Sequence, residues 1–242
     1  MSVVTYHVYC RVVFNTLAFL LHAGNGIYMF FALQGDVLKD PQLQTMKEIQ
    51  FKYITIWNLV FQMIFLTMSL ICDIPLIFKI FEDSKYLDYL RSYKKVFFSS
   101  IVWPVTVTIF LIFWPIFIYD RELVFPAFID KAISIVSNHI MHSIILLIAL
   151  WEILFQPRSK PASHKWYIGH FFVTYILYLI VLFTNYAQRG IWPYPVLKLL
   201  YGTPYFPILF LSIPVLALGI YYLQWLLTTL RFETCVKNEK IR

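Results

Sequence analysis

Six long apolar stretches limit what this chain can fold into. Each is close to the roughly 20 residues that a helix needs to cross a hydrocarbon core about 30 Å thick. Lipid offers no hydrogen bonds to the backbone, and a helix is the one single-segment structure that satisfies all of its own backbone groups there. We therefore predict helical spans at residues 12–33, 53–74, 96–118, 133–155, 167–186 and 206–230.

The composition agrees with a membrane protein. The chain has 242 residues, of which 60% are hydrophobic and 14% charged, whereas soluble domains are about 45–50% apolar and 25% charged. With 7 glycines and 12 prolines, no flexible linker divides the sequence. The predicted fold class is an all-α integral membrane protein, a single bundle of six transmembrane helices over residues 1–242.

The positive charge is a topology signal rather than a sign of nucleic-acid binding. The net charge is +7, but the basic residues are scattered between apolar runs, and no nucleic-acid motif is present. Across alternate connections, 13 Lys and Arg residues fall on the side of the two termini and 7 on the other. The positive-inside rule then predicts that both termini are cytoplasmic. The endoplasmic reticulum and the plasma membrane are both compatible with this topology.

Cysteines and prolines add two smaller expectations. The three cysteines are far apart and form no CxxC pair, so the sequence predicts neither a disulfide framework nor a zinc site. The third span contains Pro104 and Pro115, which predicts a kink because proline removes a backbone donor inside a helix. Residues 120–130 contain charges and a proline and are too short to span, which indicates a loop or interfacial turn.

The stretch NHIMHS, residues 138–143, places polar groups inside the fourth predicted span. Asn138, His139 and His142 are costly in lipid and therefore suggest function. The two histidines, three residues apart, share one helix face. They could join helices by hydrogen bonds, contribute to a metal site, which needs three or four ligands, or provide a general base.

Depth along the helices indicates which hydroxyl such a base could reach. Thr55 follows Lys52 by roughly 5 Å and His142 follows the start of its span by roughly 13 Å, at 1.5 Å per residue. Both spans enter from the same predicted face, so the two side chains can meet. Asp73 and Glu152 lie too far along their helices to complete a triad. A catalytic unit would thus be a Thr–His dyad, oriented by Asn138 or His139.

Two further segments lie at the same predicted face. Tyr119-Asp120-Arg121-Glu122 reads as a charged interfacial turn, or as a place where Arg121, with Lys52 nearby, holds an anionic headgroup. The run WPYP at residues 192–195 is typical of an aromatic belt at the membrane interface, and it could also form the lip of a pocket.

Several of these motifs resemble one known family. FKYITIWNLVFQ (51–62), YDRELVFP (119–126), FIDKAISIVS with NHIMHS (128–143) and IWPYP (191–195) are similar to the androgen-induced gene 1 / androgen-dependent TFPI-regulating protein family. The resemblance covers residues 12 to 230 with the same six-span plan. It implies a multi-pass threonine hydrolase that cleaves fatty acid esters of hydroxy fatty acids (FAHFAs).

The resemblance also assigns roles. It implies that Thr55 is the nucleophile and His142 the base, with an acyl-threonine intermediate. Asn138 and His139, beside the base, and Lys52 and Arg121, at the same predicted face, are then expected to support the site or orient the substrate. We expect no cofactor and no metal. The expected partners are a lipid ester from the bilayer and membrane lipids, with no nucleic acid.

A non-enzymatic alternative remains open at this point. The same six spans suit a small transporter or regulatory membrane protein, in which the histidines are structural or bind a cofactor. Loss of ester hydrolysis on substitution of Thr55 or His142 would separate the two classes.

Overall fold

The computed structural model describes residues 3–80, 84–156 and 158–239, with side chains described from residue 6 to residue 231 within those ranges. In these ranges the chain is helical and contains no strand. Six helices are long and apolar enough to cross a membrane: Tyr6–Ala32, Ile54–Phe78, Lys85–Tyr119, Ile135–Phe155, Lys165–Arg189 and Tyr205–Arg231. The prediction of an all-α, six-span membrane protein is confirmed.

The helices are numbered in chain order. They are α1 Val3–Ala32, α2 Pro41–Glu48, α3 Ile54–Phe78, α4 Lys85–Phe97, α5 Trp103–Tyr119, α6 Ile135–His139, α7 Ile145–Phe155, α8 Lys165–Arg189, α9 Pro195–Leu200 and α10 Tyr205–Glu239. Wider π-helical turns join α4 to α5 at Phe98–Val102 and α6 to α7 at Ile140–Ile144. Each of these two pairs therefore forms one continuous span.

The third span begins earlier than its hydropathy predicts. The helix begins at Lys85, eleven residues before the predicted start at residue 96. Residues 85–95 include charged side chains that are unfavourable in lipid but good helix formers. The helix therefore extends beyond the segment that can lie in hydrocarbon.

The two prolines of this span do not end the helix. Pro104 is at the first turn of α5, directly after the π-helical turn Phe98–Val102, and Pro115 lies inside α5. A proline ring in a regular helix clashes with the carbonyl four residues earlier. A π-helical turn departs from the regular α-helical ladder, and here it ends two residues before Pro104. Residues 120–130, predicted as a loop, contain two 3₁₀ turns, Arg121–Leu123 and Ala127–Lys131.

One of the hydrophobic clusters forms the frame of the site described below. It gathers buried residues from the end of α1, from α2, from the start of α3, from the end of α5 and from the segment that leads into α6. Leu43 of α2 and Ile145 of α7 are fully buried within it. Asp40 stabilises the start of the short helix α2 as its N-cap, because its side chain accepts a hydrogen bond from the backbone N–H of Gln42 at 2.9 Å. The cluster thus holds α2 against the start of α3.

Polar side chains follow one face of α3 through the apolar bundle. Thr55, Asn58 and Gln62 recur at helical spacing and are all buried. Gln62 Nε2 donates to Thr106 Oγ1 and to the backbone carbonyl of Ile145, both at 3.0 Å. Gln62 Oε1 lies 2.8 Å from His22 Nε2. These bonds tie α1, α3, α5 and α7 together, and they fix the rotation of α3 that turns Thr55 inward.

Candidate active site

The structure brings Thr55 and His142 into contact. Thr55 is the second residue of α3, His142 lies in the π-helical turn between α6 and α7, and both side chains are buried. Thr55 Oγ1 is 3.4 Å from His142 Nε2. This separation is long for an O–H···N hydrogen bond, and catalytic contacts are often long in the absence of a substrate. A hydroxyl and an imidazole from separate spans therefore face each other.

The second imidazole nitrogen has a partner that fixes the tautomer. His142 Nδ1 is 3.0 Å from the backbone carbonyl oxygen of Asn138. A carbonyl oxygen accepts hydrogen bonds and donates none, so the neutral ring carries its proton on Nδ1 and leaves Nε2 as an acceptor. Nε2 is the nitrogen that faces Thr55, so the ring is in the form that can take a proton from the hydroxyl.

Backbone carbonyl oxygens in and beside the π-helical turn accept hydrogen bonds from side chains. Asn138 O accepts from His142 Nδ1, His142 O from Trp114 Nε1 at 3.3 Å, and Ile145 O from Gln62 Nε2. Turns of this type loosen the regular ladder and are frequent at functional sites. The bonds hold the backbone around His142 against α3 and α5.

Aromatic rings fix the plane of the imidazole. The ring of Phe113 is stacked on His142 with centroids 3.5 Å apart. Trp114, the next residue on α5, is stacked on His139 at 5.1 Å. The two histidines that look alike in the sequence therefore meet different neighbours, and only His142 faces Thr55.

A tyrosine from the connection between α8 and α9 completes the contacts at Thr55. The hydroxyl oxygen of Tyr194 accepts a hydrogen bond from the backbone N–H of Ile54 at 2.9 Å, and the side chains of Thr55 and Tyr178 lie near it. Burial raises the pKa of Tyr194, so its phenol keeps its proton at neutral pH. The first free N–H of α3 is thereby satisfied beside the hydroxyl of Thr55.

Two cavities meet at this point. The larger, of about 200 Å³, lies between α3, α5, α8 and α10, and its lining includes Thr55, Thr108 and Ala217. The smaller, of about 80 Å³, lies under α2 and includes Thr55, His142 and Gln50. Four residues line both cavities: Thr55, Phe113, Val124 and Tyr194. His142 borders the smaller cavity alone.

The four predicted supporting residues have different environments. Asn138 is buried, with its side-chain Oδ1 lacking a partner, and its backbone carbonyl holds His142. His139 is exposed and contacts Ser143 Oγ at 3.1 Å. Arg121 donates to Asp130 at 2.8 Å and to the carbonyl of Phe125, and this contact with Asp130 raises the pKa of Arg121. Lys52 is in the turn directly before α3.

The acidic residues excluded by depth lie apart from the dyad. Asp73 is paired with Arg11, whose Nε donates to it at 3.0 Å, at the far end of α3. No acidic side chain contacts His142 in the described part of the chain. Among the described residues, no group of three or more His, Cys, Asp or Glu side chains is placed to hold a metal ion.

Sequence reasoning missed three residues of the site. Tyr194 was interpreted as part of an aromatic belt or a pocket lip, and Phe113 and Trp114 as apolar span residues. The one usable signal for Tyr194 was its position at the same predicted membrane face as the start of α3. Nothing in the pattern around Phe113 separates it from the other aromatic residues of α5.

The chain is similar to a family of known proteins. A family model described as FAR-17a/AIG1-like protein matches residues 6–228. The androgen-dependent TFPI-regulating protein of Homo sapiens is 32% identical over 147 residues, which cover 61% of this chain and 62% of that protein. Its Mus musculus counterpart is 32% identical over 173 residues, covering 70% of this chain and 72% of that protein.

A second human relative extends the comparison. The androgen-induced gene 1 protein of Homo sapiens is 29% identical over 153 residues, covering 61% of this chain and 63% of that protein. The matches to the two human proteins thus span a little over three fifths of their length. No solved structure matches the chain significantly. Because the family model covers all six spans but for the last residues of the sixth, this chain is a multi-pass membrane protein that belongs to the FAR-17a/AIG1-like family.

Proposed function

We propose that this protein is an intramembrane hydrolase of lipid carboxylic esters, with Thr55 as nucleophile and His142 as general base. The observation that carries the proposal is the orientation of His142. Its Nδ1 is held by the carbonyl of Asn138 while Nε2 faces Thr55 Oγ1 at 3.4 Å. This is the arrangement of nucleophile, base and orienting group that activated hydroxyls need.

The first half-reaction forms an acyl-enzyme. His142 Nε2 takes the proton from the Thr55 hydroxyl as Oγ1 attacks the ester carbonyl carbon. The resulting tetrahedral intermediate collapses when the bond from carbon to the alcohol oxygen breaks. The proton on Nε2 passes to that oxygen, the alcohol leaves, and the acyl group stays on Thr55.

The second half-reaction returns the enzyme to its starting state. His142 Nε2 takes a proton from water, and the hydroxide oxygen attacks the acyl carbon. The bond from carbon to Oγ1 then breaks, Nε2 returns its proton to Oγ1, and the carboxylic acid is released. Each half-reaction begins and ends with a neutral imidazole that carries its proton on Nδ1.

The tetrahedral intermediates carry a negative oxygen that needs donors. We assign the Tyr194 hydroxyl to this role because it is a protonated donor that lines the same two cavities as Thr55 and accepts, rather than donates, in its contact with Ile54 N–H. A donor held by a backbone contact costs little reorganisation when charge develops.

FAHFAs are the proposed substrates. This choice rests on the resemblance of the chain to its family, and the apolar linings of both cavities at Thr55 support a substrate with long hydrocarbon parts. Burial of Thr55 within the bundle supports an ester that reaches the site from the bilayer rather than from water.

Two point variants test the proposal. Purified Thr55→Ala and His142→Ala proteins should each hydrolyse a FAHFA at least about 10²–10⁴-fold more slowly than wild type, because nucleophile or base is lost. Thr55→Ala should also lose labelling by a fluorophosphonate probe. Hydrolysis should be measured by mass spectrometry of the released hydroxy fatty acid.

Matched controls separate chemistry from folding. Thr67→Ala changes an exposed threonine of α3 that bonds only to the carbonyl of Met63, and His170→Ala changes a histidine that contacts the carbonyl of Trp166. Both should keep wild-type rates. Wild-type turnover by Thr55→Ala or His142→Ala would refute the dyad, whereas a wild-type protein that hydrolyses no FAHFA would favour a non-enzymatic role.

A further inference from the structure

The two cavities at Thr55 differ in their relation to the base. Both border the hydroxyl of Thr55, and Tyr194 stands between them. Only the smaller cavity borders His142. An ester also has two sides, an acyl arm and an alcohol arm, and they meet at the carbon that Thr55 attacks. The position of His142 therefore makes the two sides of Thr55 unequal for the two arms of the ester.

Proton transfer decides which arm faces His142. The alcohol oxygen leaves with the proton that Nε2 has taken from Thr55, so this oxygen must lie on the His142 side of the attacked carbon. Water must later approach Nε2 from the same side, after the alcohol has moved away. The acyl arm takes part in neither transfer and remains bonded to Thr55 between the two steps.

We propose, on the basis of the proposed function, that each of the two cavities binds one arm of the ester. The acyl arm occupies the larger cavity between α3, α5, α8 and α10, and the alcohol arm occupies the smaller cavity beside His142 and under α2. Tyr194 and Phe113 line both cavities and form the boundary at which the ester group sits.

The linings agree with this assignment. The larger cavity is formed almost entirely by apolar surface of membrane-spanning helices, including Ile109, Leu182 and Ile213, which suits an unsubstituted hydrocarbon chain. The smaller cavity includes the amide of Gln50, in the connection between α2 and α3. A departing alcohol that carries a polar end group meets that amide and the short helix α2, outside the membrane spans.

Narrowing each cavity in turn tests the assignment. Ala217 of α10 is buried and lines the larger cavity alone, whereas Ile133 is buried and lines the smaller cavity alone. The purified full-length variants Ala217→Phe and Ile133→Phe are assayed on two series of esters. One series is p-nitrophenyl acetate, octanoate and palmitate, and the other is the octanoate esters of ethanol, octan-1-ol and hexadecan-1-ol.

The expected result is a crossed change in selectivity. Ala217→Phe should lower the ratio of palmitate to acetate hydrolysis by about tenfold or more, since a methylene misfit alone is worth about 10–200-fold, and leave the ratios within the alcohol series near wild type. Ile133→Phe should lower the ratio of hexadecyl to ethyl ester hydrolysis and leave the acyl series near wild type.

Exposed neighbours provide the controls. Val215→Phe and Ile135→Phe add the same ring to side chains that are 70% and 74% exposed and face away from the cavities. Neither should alter any ratio. If Ala217→Phe is poorly folded, the smaller change Ala217→Leu gives the same test, and fluorophosphonate labelling of Thr55 reports an intact site.

Different failures have different meanings. Selectivity changes in the opposite series, or equal losses across both series, overturn the assignment of the arms while leaving the dyad intact. A wild-type protein that hydrolyses none of these esters, nor a FAHFA, overturns the proposed function itself and the assignment with it.

Discussion

The ring of Phe113 lies nearly parallel to the imidazole of His142, with an angle of 10° between the planes and centroids 3.5 Å apart. The stack fixes the plane of the imidazole, and the hydrogen bond to the carbonyl of Asn138 fixes how the ring is turned within that plane. Together these two contacts leave Nε2 one direction to face, which is toward Thr55 Oγ1. The base is therefore oriented by α5 and by its own helix, and no carboxylate among the described residues contacts it.

Replacing Phe113 tests this orientation. Phe113→Leu keeps an apolar side chain but removes the flat surface on the imidazole, so the rate constant kcat should fall by about 10–100-fold, as expected for a misplaced catalytic group. Phe110→Leu, one turn earlier on α5, should change kcat little. Steady-state hydrolysis of p-nitrophenyl octanoate measures both variants. A wild-type kcat for Phe113→Leu would show that the stack does not orient His142.

Tyr194→Phe tests the donor assigned to the oxyanion. The variant keeps the ring that packs edge-on against Tyr53 but loses the hydroxyl that contacts Ile54 N–H. We expect kcat to fall by about 10²–10³-fold with little change in KM, the usual effect of removing one such donor. Tyr201→Phe, which removes the hydroxyl of an exposed tyrosine, is the matched control. An unchanged kcat for Tyr194→Phe, with KM raised, would assign Tyr194 to substrate binding instead.

Hydropathy predicted the number and approximate position of the spans because lipid requires long apolar helices. It could not predict that the third helix begins at Lys85. The charged residues of α4 lower the hydropathy of that segment, although they do not end the helix. Nor could the sequence predict the π-helical turn at Ile140–Ile144, because its residues show no pattern that distinguishes it from an α-helix. That turn governs how His142 faces its neighbours.

The site was predictable to the extent that depth along a helix is predictable. Counting 1.5 Å per residue placed Thr55 and His142 at compatible depths, and the resemblance to a family singled out this pair. The contact of Tyr194 with Ile54 joins residues 140 positions apart in the chain. Such a contact depends on how α8, α9 and α3 pack, and no local pattern encodes it.

The stability of the bundle should depend on Gln62. Gln62→Leu removes the hydrogen bonds that Gln62 makes with His22, Thr106 and the carbonyl of Ile145 in an apolar interior, while Thr106 keeps its bond to Asn58 Oδ1. The expected cost is about 1–3 kcal/mol, seen as a lower midpoint of thermal unfolding in detergent. Thr67→Val, which loses one bond within its own helix turn, should leave the midpoint near wild type. Equal midpoints for wild type and Gln62→Leu would contradict a structural role for this network.

The contact that secures α2 predicts a dependence on pH. The Lys131 ammonium lies 2.7 Å from Asp40 Oδ2, and this hydrogen bond, with that from Gln42 N–H, lowers the pKa of Asp40 below its ordinary value. A carboxyl group with a lowered folded-state pKa adds stability above its unfolded pKa, about 3.9, and loses it as the pH falls through the folded value. The contribution of Asp40 should therefore be complete at neutral pH.

Asp40→Asn isolates this contribution, because asparagine caps a helix as well as aspartate does but carries no charge for Lys131. The thermal midpoint of the variant should lie below that of wild type at pH 7, and the two should converge as the pH falls below about 4. Lys131→Gln should reproduce the difference, and the double variant should be no less stable than either single one. Asp36→Asn breaks a fully exposed pair with Lys39 and should have no effect. A difference that persisted unchanged at low pH would mean that the Asp40 charge does not secure α2.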